Sequence, residues 1–169
     1  MKKHYVAGLL MALTFIPAVG MADVVEKYGT DSPLATDSQK RIFSKLFDIE
    51  LWSDSYPEAY DQDLTIRIIF ATRVGKSNAV DFIVEEAQEI HGFSNSQMDA
   101  LADALSNSVM CEPKADSIID FNYIPTKGIE VTCNGVTSNV PVADGPYSSF
   151  LLDVFLHEKS EFTKLASSS

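Results

Sequence analysis

The stretch from Asp116 to His157 constrains the fold more than any other part of the chain. Ser117-Ile-Ile-Asp-Phe-Asn-Tyr-Ile124 is rich in β-branched and aromatic residues, and Ile129-Glu-Val-Thr-Cys133 is a second such run. Pro125 to Gly128 supplies the turn between them. Asn134-Gly135 then separates Cys133 from a third run, Val136 to Val142. Asn and Gly both tolerate positive φ, which a two-residue hairpin turn demands. Tyr147, Phe150, Leu151, Val154 and Phe155 follow at helical spacing. The segment reads as three strands, two turns and an apolar helix from Pro146 to His157.

The residues before it follow the same logic. Asp23 to Gln39 is polar and reads as opening on one short edge strand. Arg41 to Trp52 reads as a strand dominated by Phe43, Phe47, Ile49 and Leu51. Ser53 to Gln62, with Pro57, reads as a loop. In Asp63 to Thr72, Leu64, Ile66, Ile68 and Phe70 share one face, while Ile69 and Ala71 make the other face apolar too. That pattern predicts a strand covered on both sides. Two helices follow. Ser77 is a candidate cap for the first, whose stripe is Val80, Ile83, Val84, Ala87 and Ile90, and Gly92 ends it. Ser94 and Gln97 form a capping-box pair for the second, whose stripe is Met98, Leu101, Ala102, Leu105 and Val109. Pro113 stops that helix from running on. A last short helix is expected over Glu161 to Ala166, with Ser167 to Ser169 frayed. Runs of strand interrupted by runs of helix predict an α+β domain, an antiparallel sheet with helices packed on one face.

Residues 1–22 read as a secretory leader. Lys2 and Lys3 precede an apolar run from Val6 to Val19, and Gly20-Met-Ala22 puts small residues where a signal peptidase reads. The run is short for a bilayer span of about 20 residues. Cleavage after Ala22 predicts an exported, periplasmic product of one domain, residues 23–169, with no stable membrane anchor. The net charge is −11, and loss of the leader's two lysines makes the product more acidic still. Such a surface has no basic stripe to neutralise phosphates, so nucleic acid is not an expected partner. Cys111 and Cys133 are the two cysteines. In an oxidising compartment an even count is compatible with a disulfide, and two buried free thiols are the alternative. Neither has a second Cys or His at ligand spacing, and no metal or other cofactor is expected.

The order strand, strand, two helices, three-strand meander, apolar helix resembles the chalcone isomerase-like family, in its exported bacterial branch. Four stretches carry the likeness: Phe43-Ser-Lys-Leu-Phe-Asp-Ile-Glu-Leu-Trp52; Leu64 to Phe70 followed by Gly75; Phe121-Asn-Tyr-Ile-Pro-Thr-Lys-Gly128 with Asn134-Gly135; and Phe150-Leu-Leu-Asp-Val-Phe-Leu156. The resemblance covers roughly residues 40–165. It implies an open-faced β-sandwich, a curved antiparallel sheet with helices on one side. It also implies either a ring-closing isomerase or a fatty-acid-binding relative that catalyses nothing. The isomerase's polar set does not carry over. Asn78 stands near its cleft tyrosine, Glu85 near its asparagine and Asp153 near its terminal-helix hydroxyl residue, and no arginine stands where the isomerase's own should be, before the first long strand. A set that must stabilise an oxyanion and position an attacking phenol is therefore incomplete.

The remaining candidates have structural explanations of their own. His91 beside Gly92 suits a helix C-terminus, and His157-Glu158 suits the end of the terminal helix. Glu85, Glu86 and Glu89 are close enough for acid–base work, but the same run describes a solvated helix face. Ser77, Ser94 and Ser96 match no nucleophile motif. Lys45 shares a face with Phe43, Phe47, Ile49 and Leu51, where it can anchor a carboxylate head group, or lay its stem on apolar surface with its ammonium in water. Arg67 has a similar, weaker case. The expectation is an exported, non-catalytic protein that holds a fatty acid or other hydrophobic molecule between sheet and helices. The alternatives are an interaction module for an exported partner and an intramolecular isomerase or lyase. Oligomeric state is left open.

Overall fold

The computed structural model describes residues 21–41, 44–57, 60–109, 111–138 and 146–166. Of the leader assigned to residues 1–22, only Met21 and Ala22 fall within this range. Phe43, the strand residues 139–142 and the tail 167–169 also lie outside it.

The core is a six-stranded sheet in which each strand pairs antiparallel with its neighbours in sequence, β1 through β6. The strands are β1 (Ala35–Arg41), β2 (Ser44–Ser53), β3 (Leu64–Phe70), β4 (Ile118–Ile124), β5 (Gly128–Cys133) and β6 (Val136–Thr137). The helices are α1 (Met21–Tyr28), α2 (Lys76–His91), α3 (Asn95–Ser108), α4 (Pro146–Leu156) and the single turn α5 (Thr163–Ala166). The expected α+β class with an open antiparallel sheet is what the chain adopts.

Register puts one set of apolar residues on a common face. Ile49 pairs with Ile68, Ile68 with Ile119, and Ile119 with Cys133. Because side chains alternate, Phe47, Leu51, Ile66, Phe121 and Val131 follow them to the same side. Helices α2 to α5 cover this face. Phe155 of α4 packs on Phe121 at 5.7 Å between ring centroids, and Phe162, just before α5, packs on Phe47 at 6.1 Å. Every one of these sheet residues is buried, which stabilises the fold by roughly 1.5–3 kcal/mol for each large side chain.

The opposite face is polar but also covered. Its residues include Thr65, Arg67, Asp120, Asn122 and Thr132. Tyr28 of α1 hydrogen-bonds Thr65 at 3.0 Å, and α1 packs on β2 from this side. The bond chain runs on from Thr65 to Asn122 (2.9 Å), Thr132 (3.2 Å) and Thr137 (3.1 Å), crossing four strands. So helices do not pack on one face only, which was the expectation for the sheet as a whole, while β3 is covered on both sides as its own pattern predicts. Helix α1 stands where Asp23 to Gln39 was expected to open on an edge strand, and that strand, β1, begins only at Ala35; Met21, Val24, Val25 and Tyr28 are spaced i, i+3, i+4 and i+7, a helical stripe that the expected cleavage after Ala22 divides.

Several local expectations hold. Asn134 and Gly135 adopt φ of 49° and 81°, the paired positive values of a tight hairpin turn. Gly92 caps α2 in the left-handed region at φ 65°, its N–H donating to the Gln88 carbonyl at 2.8 Å. Gln97 reaches back to accept from the Ser94 N–H at 3.0 Å. Ser77 does not cap α2, which starts one residue earlier behind Gly75. Helices α2 and α3 form a hairpin that leaves and re-enters the sheet at one point. The Phe70 N–H donates to the Ser117 carbonyl at 3.0 Å, and the Asp116 N–H donates to the Phe70 carbonyl at 2.8 Å. Cys111, just past α3, forms a disulfide with Cys133 at the end of β5, with Cα atoms 6.0 Å apart.

Candidate functional site

Helix α2 does not lie flush on the sheet. Between it and strands β2 to β4 is a cleft of about 680 Å³. Its floor is apolar: Phe47 from β2, Ile68 and Phe70 from β3, Ile119 and Phe121 from β4. These residues share the floor because each occupies the same parity of its strand. The roof is the matching stripe of α2, with Ala79, Val80 and Ile83. Phe82 flanks it, set edge-on to Phe47 (6.0 Å) and to Phe162 (5.9 Å). Edge-to-face pairs of this kind hold the cluster's geometry beyond what area burial supplies.

The rim is acidic. Asp81, Glu85, Glu86 and Glu89 come from α2, and Glu161 comes from the connection between α4 and α5. Two bases, Lys40 and Arg73, also line the cleft, and Arg73 reaches Glu112 at 3.6 Å. Glu86 differs from the other carboxylates, because it is buried, with only 6% of its surface exposed. Burial pushes its carboxyl up, and the charges of Glu161, Glu89 and Glu85 push the same way, while a backbone hydrogen bond from Glu161 opposes them. Among the described residues no three His, Cys, Asp or Glu side chains are placed to share a metal ion. The rim is thus a field of negative charge over an apolar cavity, without a preformed metal cage.

A second polar cluster joins the end of α2 to α4. Asp153 accepts a hydrogen bond from the Tyr60 hydroxyl on one oxygen, and its other oxygen lies 3.3 Å from His91 Nε2. Tyr123 donates to the Tyr60 carbonyl at 2.9 Å. His91 stacks on Phe93 and meets the edge of Phe150 at 4.7 Å. Burial lowers its pKa, Asp153 acts against that, and His157 adds to it. Burial likewise raises the Tyr60 hydroxyl, reinforced by its hydrogen bond to Asp153 and by that residue's charge. The cluster's evident work is to tie a loop, a helix end and α4 together.

The sequence-predicted site residues land in different places. Lys45 does not line the cleft and pairs with Asp48 at 2.8 Å on the surface. Arg67 is fully buried on the opposite face of the sheet, held to Asp120. Asn78 and Glu85 do line the cleft, while Asp153 belongs to the His91 cluster. His157 closes the end of α4, its Nδ1 accepting from the Lys159 N–H at 3.1 Å. The glutamate run is not a uniform solvated face. Glu86 stands three residues after Ile83 and four before Ile90, so it rides on the apolar stripe. That spacing was the available signal.

No protein-family model matches this chain, and no curated protein sequence matches it either. Among the described residues no helix is long and apolar enough to cross a membrane.

Proposed function

We propose that this is an exported, non-catalytic protein of the chalcone isomerase-like kind that holds an apolar small molecule between its sheet and α2. The observation that carries the reading is the cleft. Its volume of about 680 Å³ falls inside the usual range for small-molecule sites, about 300–1,000 Å³. Its floor is built from aromatic and branched side chains that belong to the core cluster. The likeness in element order supports the family part of the reading. The non-catalytic part is supported by Asn78 and Glu85, which line the cleft where the isomerase would present a phenol and an amide.

Native mass spectrometry of the protein recovered from the exported fraction tests this. The wild-type spectrum should show a chain starting at Asp23 and an added mass that solvent extraction identifies as an apolar compound. Ala79→Trp, which fills the roof of the cleft, should remove the added mass while leaving the chain folded. An apo wild type that also takes up no added apolar probe would end the carrier reading. Turnover of a chalcone would end the claim that nothing is catalysed.

A further inference from the structure

The charge of the cleft is at odds with a carboxylate ligand. A fatty acid seated with its tail on the half-buried apolar lining, Leu46, Val74, Ala79 and Phe82, would bring its head group out among Glu85, Glu89 and Glu161. Five carboxylates line the cavity against Lys40 and Arg73, and Arg73 already faces Glu112. With Glu86 protonated, four carboxylates still outnumber the two bases. The chain as a whole, at a net charge of −11, repels an anion on approach. A cation meets the opposite field. It is attracted during encounter, and beside a low-dielectric floor its attraction to the rim is stronger than in open water.

We propose that the cleft selects an apolar chain ending in a cationic nitrogen, an amine or quaternary ammonium, with the tail along the half-buried apolar lining and the head at the carboxylate rim. This rests on the reading of the cleft as a binding site. Glu86 gives the site a further property. It is buried and lines the cavity, so a cation arriving beside it favours its ionised form and drives off any proton it carries. The charges of Glu161, Glu89 and Glu85 act on Glu86 directly, and Asp81, Lys40 and Arg73 line the same cavity, so the group whose charge the pH sets is Glu86 itself. Amine binding therefore tightens from acid toward neutral pH.

Three twelve-carbon probes separate the possibilities: dodecylamine, dodecanoate and dodecanol, each titrated below its micelle concentration by calorimetry. The expected order at neutral pH is amine, then alcohol, then carboxylate, with about tenfold between neighbours, the scale of one favourable or unfavourable charge contact. Glu85→Gln/Glu89→Gln changes two exposed side chains that the core does not need. It should cut amine affinity about tenfold and leave dodecanol unchanged. Dodecanoate binding as tightly as the amine would overturn the proposal and leave the carrier reading standing. So would an amine affinity that the double variant does not change. If none of the three binds, dodecanol included, both the proposal and the carrier reading fall.

Discussion

Arg67 and Asp120 meet across β3 and β4 as a two-point pair, Nε to Oδ1 at 2.7 Å and Nη2 to Oδ2 at 2.9 Å. The Arg67 side chain is fully buried and the Asp120 side chain is 10% exposed. They are direct partners in the strand register, so the backbone ladder sets the planar fork opposite the carboxylate before either side chain chooses a rotamer. A buried pair of this kind costs much to break and little to replace. Arg67→Met alone leaves Asp120 without its partner and should destabilise the fold by about 3–5 kcal/mol. Arg67→Met with Asp120→Leu should recover most of that loss. Urea denaturation of the two variants checks both numbers. A double variant no more stable than the single one would mean that the polar face needs the charges for more than their mutual contact.

The disulfide joins the exit of α3 to the end of β5 across 22 residues of sequence. Closing a loop of that length stabilises the fold by about 3 kcal/mol through the unfolded chain's lost freedom. Cys111→Ser/Cys133→Ser should lower the urea midpoint accordingly. Reductant should do the same to the wild type and nothing to the variant. Mass spectrometry of the untreated protein should read about two protons below the reduced chain. An untreated mass equal to the reduced one would show that the bond does not form.

His91 and Glu86 should give stability opposite dependences on pH. Burial, and then His157, lower His91 against the pull of Asp153. The unfolded chain then takes up its proton first. The contribution of neutral His91 is present above its ordinary value of 6.5 and is lost as pH falls through that value toward the folded one. Glu86 is raised, so the folded state keeps its proton longer. Its contribution is present below 4.5 and is lost as pH rises through the folded value. Glu86→Gln should therefore raise the thermal midpoint at pH 7 and change it little near pH 4. His91→Asn should flatten the fall in stability between pH 7 and pH 5. Thermal scans from pH 4 to pH 7 decide the matter, and equal effects at both ends would refute either assignment.

Much of the fold could be read from local chemistry, and the sites much less so. The meander after Asp116 was legible because each boundary has its own cause: a Pro-to-Gly turn, an Asn-Gly pair and alternation in between. Gly92 and the Ser94–Gln97 pair are read from spacing alone. Helix α1 was overlooked because the expected cleavage after Ala22 splits its Met21, Val24, Val25 and Tyr28 stripe, and its docking through Tyr28 to Thr65 spans 37 residues of sequence. The same holds for Arg67. A cation on a strand looks like a ligand anchor until register reveals Asp120 opposite, 53 residues away. Asp153 bridging Tyr60 and His91 depends on how α4 docks, which no periodicity encodes. The cleft itself comes from a gap between layers, and sequence patterns describe faces rather than the distance between them.

The helical hairpin begins and ends at one rung of the ladder, where Phe70 bonds both Ser117 and Asp116. Topologically it is a long loop inserted between two strands that are already neighbours. The sheet would remain continuous if that loop were shorter, longer or replaced. Floor and lid are thus separable units of inheritance. Substitutions in residues 76–91 can alter the size of the chamber and the charge at its mouth without disturbing any strand pairing. A lineage carrying this scaffold could change what the chamber admits by rewriting the lid alone.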